Sequence, residues 1–210
     1  PSFFLEKLIM LKKKQTLSYL FQFYFDKRMI KILLLGAISG FPWVLIGSSL
    51  SLWLKEDGLS RSTIGWAGLI FAVYAFNYLW APLIDKLKVP YLTKKIGHRK
   101  AWIFLMQTII ILSLISWSFI NPLDNLTVVI GVGLAIAIAS ATQDITVDAL
   151  RIELIGKNET ESMAAGAAMA VVGWWSGFKL GGVISLNIAE YLENLGYHNY
   201  WQLTFLALCI

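Results

Sequence analysis

The sequence predicts an all-α transmembrane bundle, and three observations carry that prediction. First, 57% of the 210 residues are hydrophobic and only 15% are charged, against roughly 25% charged in a soluble domain. The mean hydropathy is +0.65, and a soluble fold of this length has too much surface to hide so much apolar material. Second, charge-free stretches of membrane length recur along the chain; a span needs roughly 20 apolar residues to cross ~30 Å of hydrocarbon. Third, the basic residues crowd into alternate loops. The single cysteine, Cys209, excludes a disulfide scaffold. Nine Trp, eight Tyr and twelve Phe exclude disorder.

In chain order, residues 1–28 read as a cytoplasmic interfacial segment. Leu17, Leu20, Phe21, Tyr24 and Phe25 recur at helical spacing, with Ser18, Gln22 and Asp26 opposite. That is the pattern of an amphipathic helix lying on a membrane surface. Residues 29–210 form the transmembrane part, with spans expected at 32–54, 62–84, 101–123, 125–148 and 162–189. Residues 200–210 are the start of a sixth span, cut by the end of the chain. The first residue is Pro rather than Met, which reads as a trimmed start.

The charge pattern orients the bundle. The N-terminal segment holds Lys7, Lys12, Lys13, Lys14, Lys27, Arg28 and Lys31. The 2–3 loop adds Lys86, Lys88, Lys94, Lys95, Arg99 and Lys100, and the 4–5 loop adds Arg151 and Lys157. The opposite loops hold only Lys55 and Arg61. Positive residues concentrate on the cytoplasmic side, so the N-terminus is expected there. The net charge of +5 is then an orientation signal, and nucleic acid is not an expected partner. Gly36 and Gly40, and Gly173, Gly177 and Gly181, repeat every fourth residue, as in helices that approach closely in lipid. Trp43, Trp53, Trp66, Trp102 and Trp201 read as anchors at span ends.

Four motifs carry a family resemblance. Leu35-Gly36-Ala37-Ile38-Ser39-Gly40-Phe41-Pro42 opens the first span. Tyr78-Leu79-Trp80-Ala81-Pro82-Leu83-Ile84-Asp85 ends the second, and Gly97-His98-Arg99-Lys100-Ala101-Trp102 follows the loop. Ser140-Ala141-Thr142-Gln143-Asp144 runs on to Asp148 in the fourth. In this order and spacing the chain resembles the AmpG-type muropeptide permeases, a branch of the major facilitator superfamily related to the acetyl-coenzyme A transporters. The resemblance implies a major-facilitator-type N-terminal six-helix bundle, truncated in the sixth helix, with a C-terminal half expected. It implies a bacterial inner-membrane secondary transporter that imports anhydromuropeptides with protons, and no enzyme activity. An acetyl-coenzyme A-like or other anionic solute carrier, and a degenerate half-transporter acting as a membrane interaction or sensor protein, are the alternatives.

Site candidates follow from position and from the resemblance. Asp85 with Gly97, Arg99 and Lys100 resembles the superfamily's gating loop, and Arg151 is the expected partner of Asp85. Asp144 and Asp148 share one face of the fourth span with Ser140. Acids in spans face a cavity or a partner, so the two Asp, with Gln143, are coupling candidates. Counting from Leu126 puts Asp144 roughly 27 Å along its helix, near the cytoplasmic edge. Lys179 lies roughly 22 Å from that edge. A mid-span Lys costs ~2.5–3.5 kcal/mol on insertion scales, so it reads either as a ligand for a substrate carboxylate or as a snorkelling side chain. Trp175 stands where the family carries Arg, one turn before Lys179. Trp174, Trp175, Tyr74 and Asn77 are candidates for stacking on, and hydrogen bonding to, a sugar. No phosphate-binding loop, metal-ligand spacing or nucleophile–base pair is present, so no cofactor or metal is expected.

Overall fold

The computed structural model describes residues 22–209 apart from residue 157. Most of the predicted amphipathic stripe, Leu17, Leu20 and Phe21 included, lies outside them. Phe23–Phe25 form one 3-10 turn, and Asp26 then caps the first long helix by accepting from Arg28 N at 2.8 Å. Eight helices follow: α1 Lys27–Glu56, α2 Arg61–Leu79, α3 Ala81–Lys86, α4 Leu92–Ile96, α5 His98–Trp117, α6 Pro122–Ile155, α7 Thr160–Asn194 and α8 Tyr200–Ala207. No strand occurs among the described residues. Five of the helices, α1, α2, α5, α6 and α7, are long and apolar enough to cross a membrane.

Local chemistry explains where the helices depart from the hydropathy pattern. The third span was expected to reach residue 123, but α5 stops at Trp117. Asn121 accepts from Leu123 N at 3.0 Å, and Pro122 stands at the first helical position of α6. An Asn cap followed by Pro starts a helix whatever the hydropathy on either side. The second span was expected to be continuous to residue 84. Instead α2 tightens into 3-10 turns at Gly68–Phe71 and Asn77–Leu79, and α3 restarts with Pro82 in its first turn. At the far end, α6 runs on to Ile155, well past residue 148.

α1 is interrupted from within. Pro42 has no N–H to donate to the carbonyl four residues back, Ile38 O. A π turn follows at Leu45–Ser49. The freed Ile38 carbonyl accepts instead from Gln143 Nε2 of α6 at 3.2 Å, and Gln143 Oε1 accepts from Gln107 Nε2 of α5 at 2.8 Å. One fully buried glutamine thus ties three helices together and satisfies a carbonyl that the proline orphaned.

α1 and α7 pack over the longest shared seam. A Cβ on Gly36 or Gly40 would overlap the backbone of Ala170 or Trp174. A Cβ on Gly173 or Gly177 would overlap that of Leu33 or Ala37. The two helices meet backbone to backbone, as small residues permit in lipid, where tails are as apolar as side chains.

The main core lies toward the α1–α2 turn. Trp53, Trp117 and Phe205 meet there with ring centroids 5.0–6.0 Å apart. Trp53 and Trp201 were expected to be span-end anchors, but Trp53 is 0% and Trp201 2% exposed. Trp53 faces inward onto α5 and α8, and Trp201 of α8 packs on Phe205 and donates to Glu56 of α1. Trp43 also departs from that expectation: it packs on Phe71, Tyr74 and Trp174 at 4.5–5.6 Å, joining α1, α2 and α7.

Candidate functional site

The site grows out of α6. Ser140, Asp144 and Asp148 lie one turn apart on one face, and the bundle wraps that face progressively. Ser140 is fully buried, Asp144 half-buried and Asp148 exposed. Asp144 accepts a hydrogen bond from the Ser39 hydroxyl of α1. Ser39 lies twelve residues into a thirty-residue helix, about 18 Å from its start. Asp144 thus packs inside the bundle against α1. Beyond residue 148 the helix continues as a polar extension carrying Arg151 and Glu153.

Asp144 and Asp148 open onto a cavity of about 210 Å³ between α1, α6 and α7. Gly36 and Ala170 keep its walls thin, and Trp174 closes one side. No basic group pairs with Asp144 among the described residues. Asp148 pairs with Arg151 at 3.1 Å, one turn further along α6. Beside Asp144, the Tyr74 and Ser140 hydroxyls are buried close to one another. Tyr74 also packs on Trp43 at 4.5 Å. Trp174 stacks on Phe178 at 5.6 Å and 4°. The cavity lining thus combines the Trp174 ring with the Asp144 and Asp148 carboxyls.

Other candidates fall elsewhere. Gln143 was read as a coupling residue, but its amide is committed to Ile38 O and Gln107, away from the cavity. Trp175 is 51% exposed and Lys179 is exposed one turn on. Asn77 is half-buried in the second 3-10 turn of α2 and does not line the Asp144 cavity. Neither Trp175 nor Lys179 lines the Asp144 cavity.

The gating candidates pair differently from the expectation. Asp85 of α3 accepts from Arg99 at 2.5 Å, not from Arg151. Arg99 also reaches Glu153 at 3.0 Å. Gly97 makes this possible: its φ of +90° turns the chain into α5 and places Arg99 between α3 and the end of α6. His98 Nε2 lies 2.8 Å from Ile84 O and fixes the same turn. Arg151 is held by Asp148 within its own helix. Lys100 is exposed.

Three partners were missed by sequence reasoning. Ser39 stands in the quoted Leu35–Pro42 motif, where it was read only as part of the family resemblance. Glu153 had no signal beyond lying in a basic loop. Arg28, counted as an orientation charge, is a clamp: it donates to Glu159 at 2.8 and 2.9 Å and to Ile155 O at 3.1 Å, and it pairs with Asp26 at 2.6 Å. Hydrogen bonding to Arg28 holds the Glu159 and Asp26 carboxyls below their ordinary values.

With this geometry in hand, comparison with known proteins is informative. No family model matches the chain. It is 38% identical over 185 residues to a candidate transporter of Rickettsia felis, AmpG 4, covering 88% of this chain and 42% of that protein. A Rickettsia bellii homologue, AmpG 1, is 35% identical over 161 residues, covering 77% and 38%. The anhydromuropeptide permease of Escherichia coli K12 is 30% identical over 181 residues, covering 85% and 35%. The chain thus spans about two fifths of the length of the relatives it matches. Five helices of spanning length and transporter relatives together describe a multi-pass membrane protein.

Proposed function

We propose that this chain, a relative of the AmpG-type transporters, forms the N-terminal half of a secondary transporter that imports anhydromuropeptides. The proton gradient drives it, and Asp144 is the coupling group. The N-terminus is cytoplasmic and the membrane is the bacterial inner membrane, as the crowding of basic residues at one end of the bundle favours. A C-terminal half closes the path against the face that carries the Asp144 cavity. The protein carries solute and does no covalent chemistry.

The observation that carries this reading is a carboxylate deep in an apolar bundle, opening onto a cavity and lacking a cationic partner among the described residues. Ionised acid inside a membrane bundle is costly. Such a group is held in place when its charge changes during the work of the protein. The Ser39 hydroxyl can donate to the charged carboxylate or accept from the neutral acid, so it serves both states without repacking. The Trp174 face offers stacking area to a sugar ring. Arg99, bridging Asp85 and Glu153, latches the 2–3 loop to the end of α6. Such a latch holds one of two alternating states and must open for the other.

Uptake of radiolabelled anhydromuropeptide into right-side-out vesicles from cells expressing the gene tests the reading. Accumulation that rises when the outside is made acid, and collapses with a protonophore, is expected. Uptake insensitive to the gradient contradicts it.

A further inference from the structure

The turn where α1 meets α2 is flanked by two basic residues, Lys55 and Arg61. Arg61 is the first residue of α2. A cation there opposes the positive end of the helix dipole, so its position needs a reason. Neither side chain pairs with the adjacent Glu56 or Asp57. Glu56 is turned away and held by Tyr200 Oη at 2.7 Å and Trp201 Nε1 at 2.5 Å.

Both cations line one cavity of about 470 Å³. Ser48 and Ser51 of α1 supply hydroxyls to its wall, and Leu59 and Leu186 supply apolar surface. Ser48 belongs to the π turn at Leu45–Ser49, and such turns recur at functional sites. The cavity therefore combines two charges that form no ion pair among the described residues, hydroxyl donors and a mostly apolar lining.

We propose that this cavity is a capture site for an anionic group, a carboxylate or phosphate, carried on a body with apolar surface. The guanidinium offers a planar fork that matches either anion, and Lys55 adds a point charge beside it. The leucine walls exclude water and take the apolar body, which strengthens the charge contacts. The inference rests on the transport reading only for the source of the anion: there it is a carboxylate of a peptide-bearing sugar, held at the outer mouth before entry. A phospholipid phosphate has the same chemistry.

Binding to the protein in phosphatidylcholine nanodiscs tests the site, with radiolabelled N-acetylmuramyl dipeptide and its carboxyl-amidated form as probes. Lys55→Gln and Arg61→Gln should each weaken binding of the acid roughly tenfold, as loss of a charged hydrogen-bond donor does. The amide should bind alike to wild type and variants. Higher salt should weaken the acid alone. Phosphatidylglycerol added to the discs separates the sources: displacement of the probe supports the anion site and assigns it to lipid phosphate, and no displacement assigns it to the solute. Equal affinity for acid and amide, unchanged affinity in both variants, or no binding of either probe or lipid to wild type would overturn the proposal. Gradient-independent uptake would refute the transport reading while leaving a charge-dependent binding result intact.

Discussion

Replacing Gln143 with Leu tests the most specific packing inference. Leu fills nearly the same volume but carries no polar atoms. Its introduction strips Ile38 O of the donor that replaces the missing Pro42 N–H, and strips Gln107 Nε2 of its acceptor. Each buried polar group left unpaired costs ~1–3 kcal/mol, so Gln143→Leu should destabilise the bundle by roughly 2–5 kcal/mol. Reversible unfolding in mixed micelles, followed by tryptophan fluorescence, reads this directly. The explanation makes a sharper demand through a double-mutant cycle. In a Pro42→Ala background residue 42 has an N–H that can donate to Ile38 O along the helix. Gln143→Leu should then cost about 1–3 kcal/mol less than in the wild type. An identical cost in both backgrounds would show that Gln143 is not standing in for the proline's missing donor.

Two further outcomes follow from other contacts. Gly177→Leu should prevent α1 and α7 from closing, because even its Cβ would overlap the backbone of Ala37, whereas Gly65→Ala meets nothing within 4 Å and should be silent; the yield of monodisperse protein in mild detergent distinguishes them. The Arg28 clamp makes a pH prediction: hydrogen bonding to Arg28 lowers the Glu159 carboxyl below 4.5 in the folded state, so its contribution is present above that value and is lost as pH falls below it through the folded value. The gap in thermal stability between wild type and Glu159→Gln should be full at pH 7 and close under acid, and a gap that widens under acid would refute the clamp.

The number and order of the long helices were legible because hydropathy and span length are properties of the chain alone. The glycine seam was legible for the same reason: Gly36, Gly40, Gly173 and Gly177 repeat at a spacing that serves close approach. Boundaries were less so. The start of α6 is set by the Asn121–Pro122 cap, which a search for the next charge passes over. The length of α6 was underestimated because it continues beyond its apolar part to Ile155, and a polar helical extension resembles a loop in hydropathy. Pairing was the least legible. Arg99 rather than Arg151 meets Asp85 because Gly97 reverses the chain just before α5, and Arg151 is taken by Asp148 in its own helix. Trp53 and Trp201 were placed at the surface by their distance along a span, whereas the direction in which they face depends on neighbours far away in sequence.

The account stands most directly on Asp144, and the measurement that tests it compares two modes of transport by one variant. Asp144→Asn should abolish gradient-driven accumulation of anhydromuropeptide in vesicles while leaving exchange of internal unlabelled for external labelled solute at the same pH. Exchange needs the path and not the proton. Gradient-driven accumulation undiminished in Asp144→Asn would contradict the assignment of Asp144 as the coupling group.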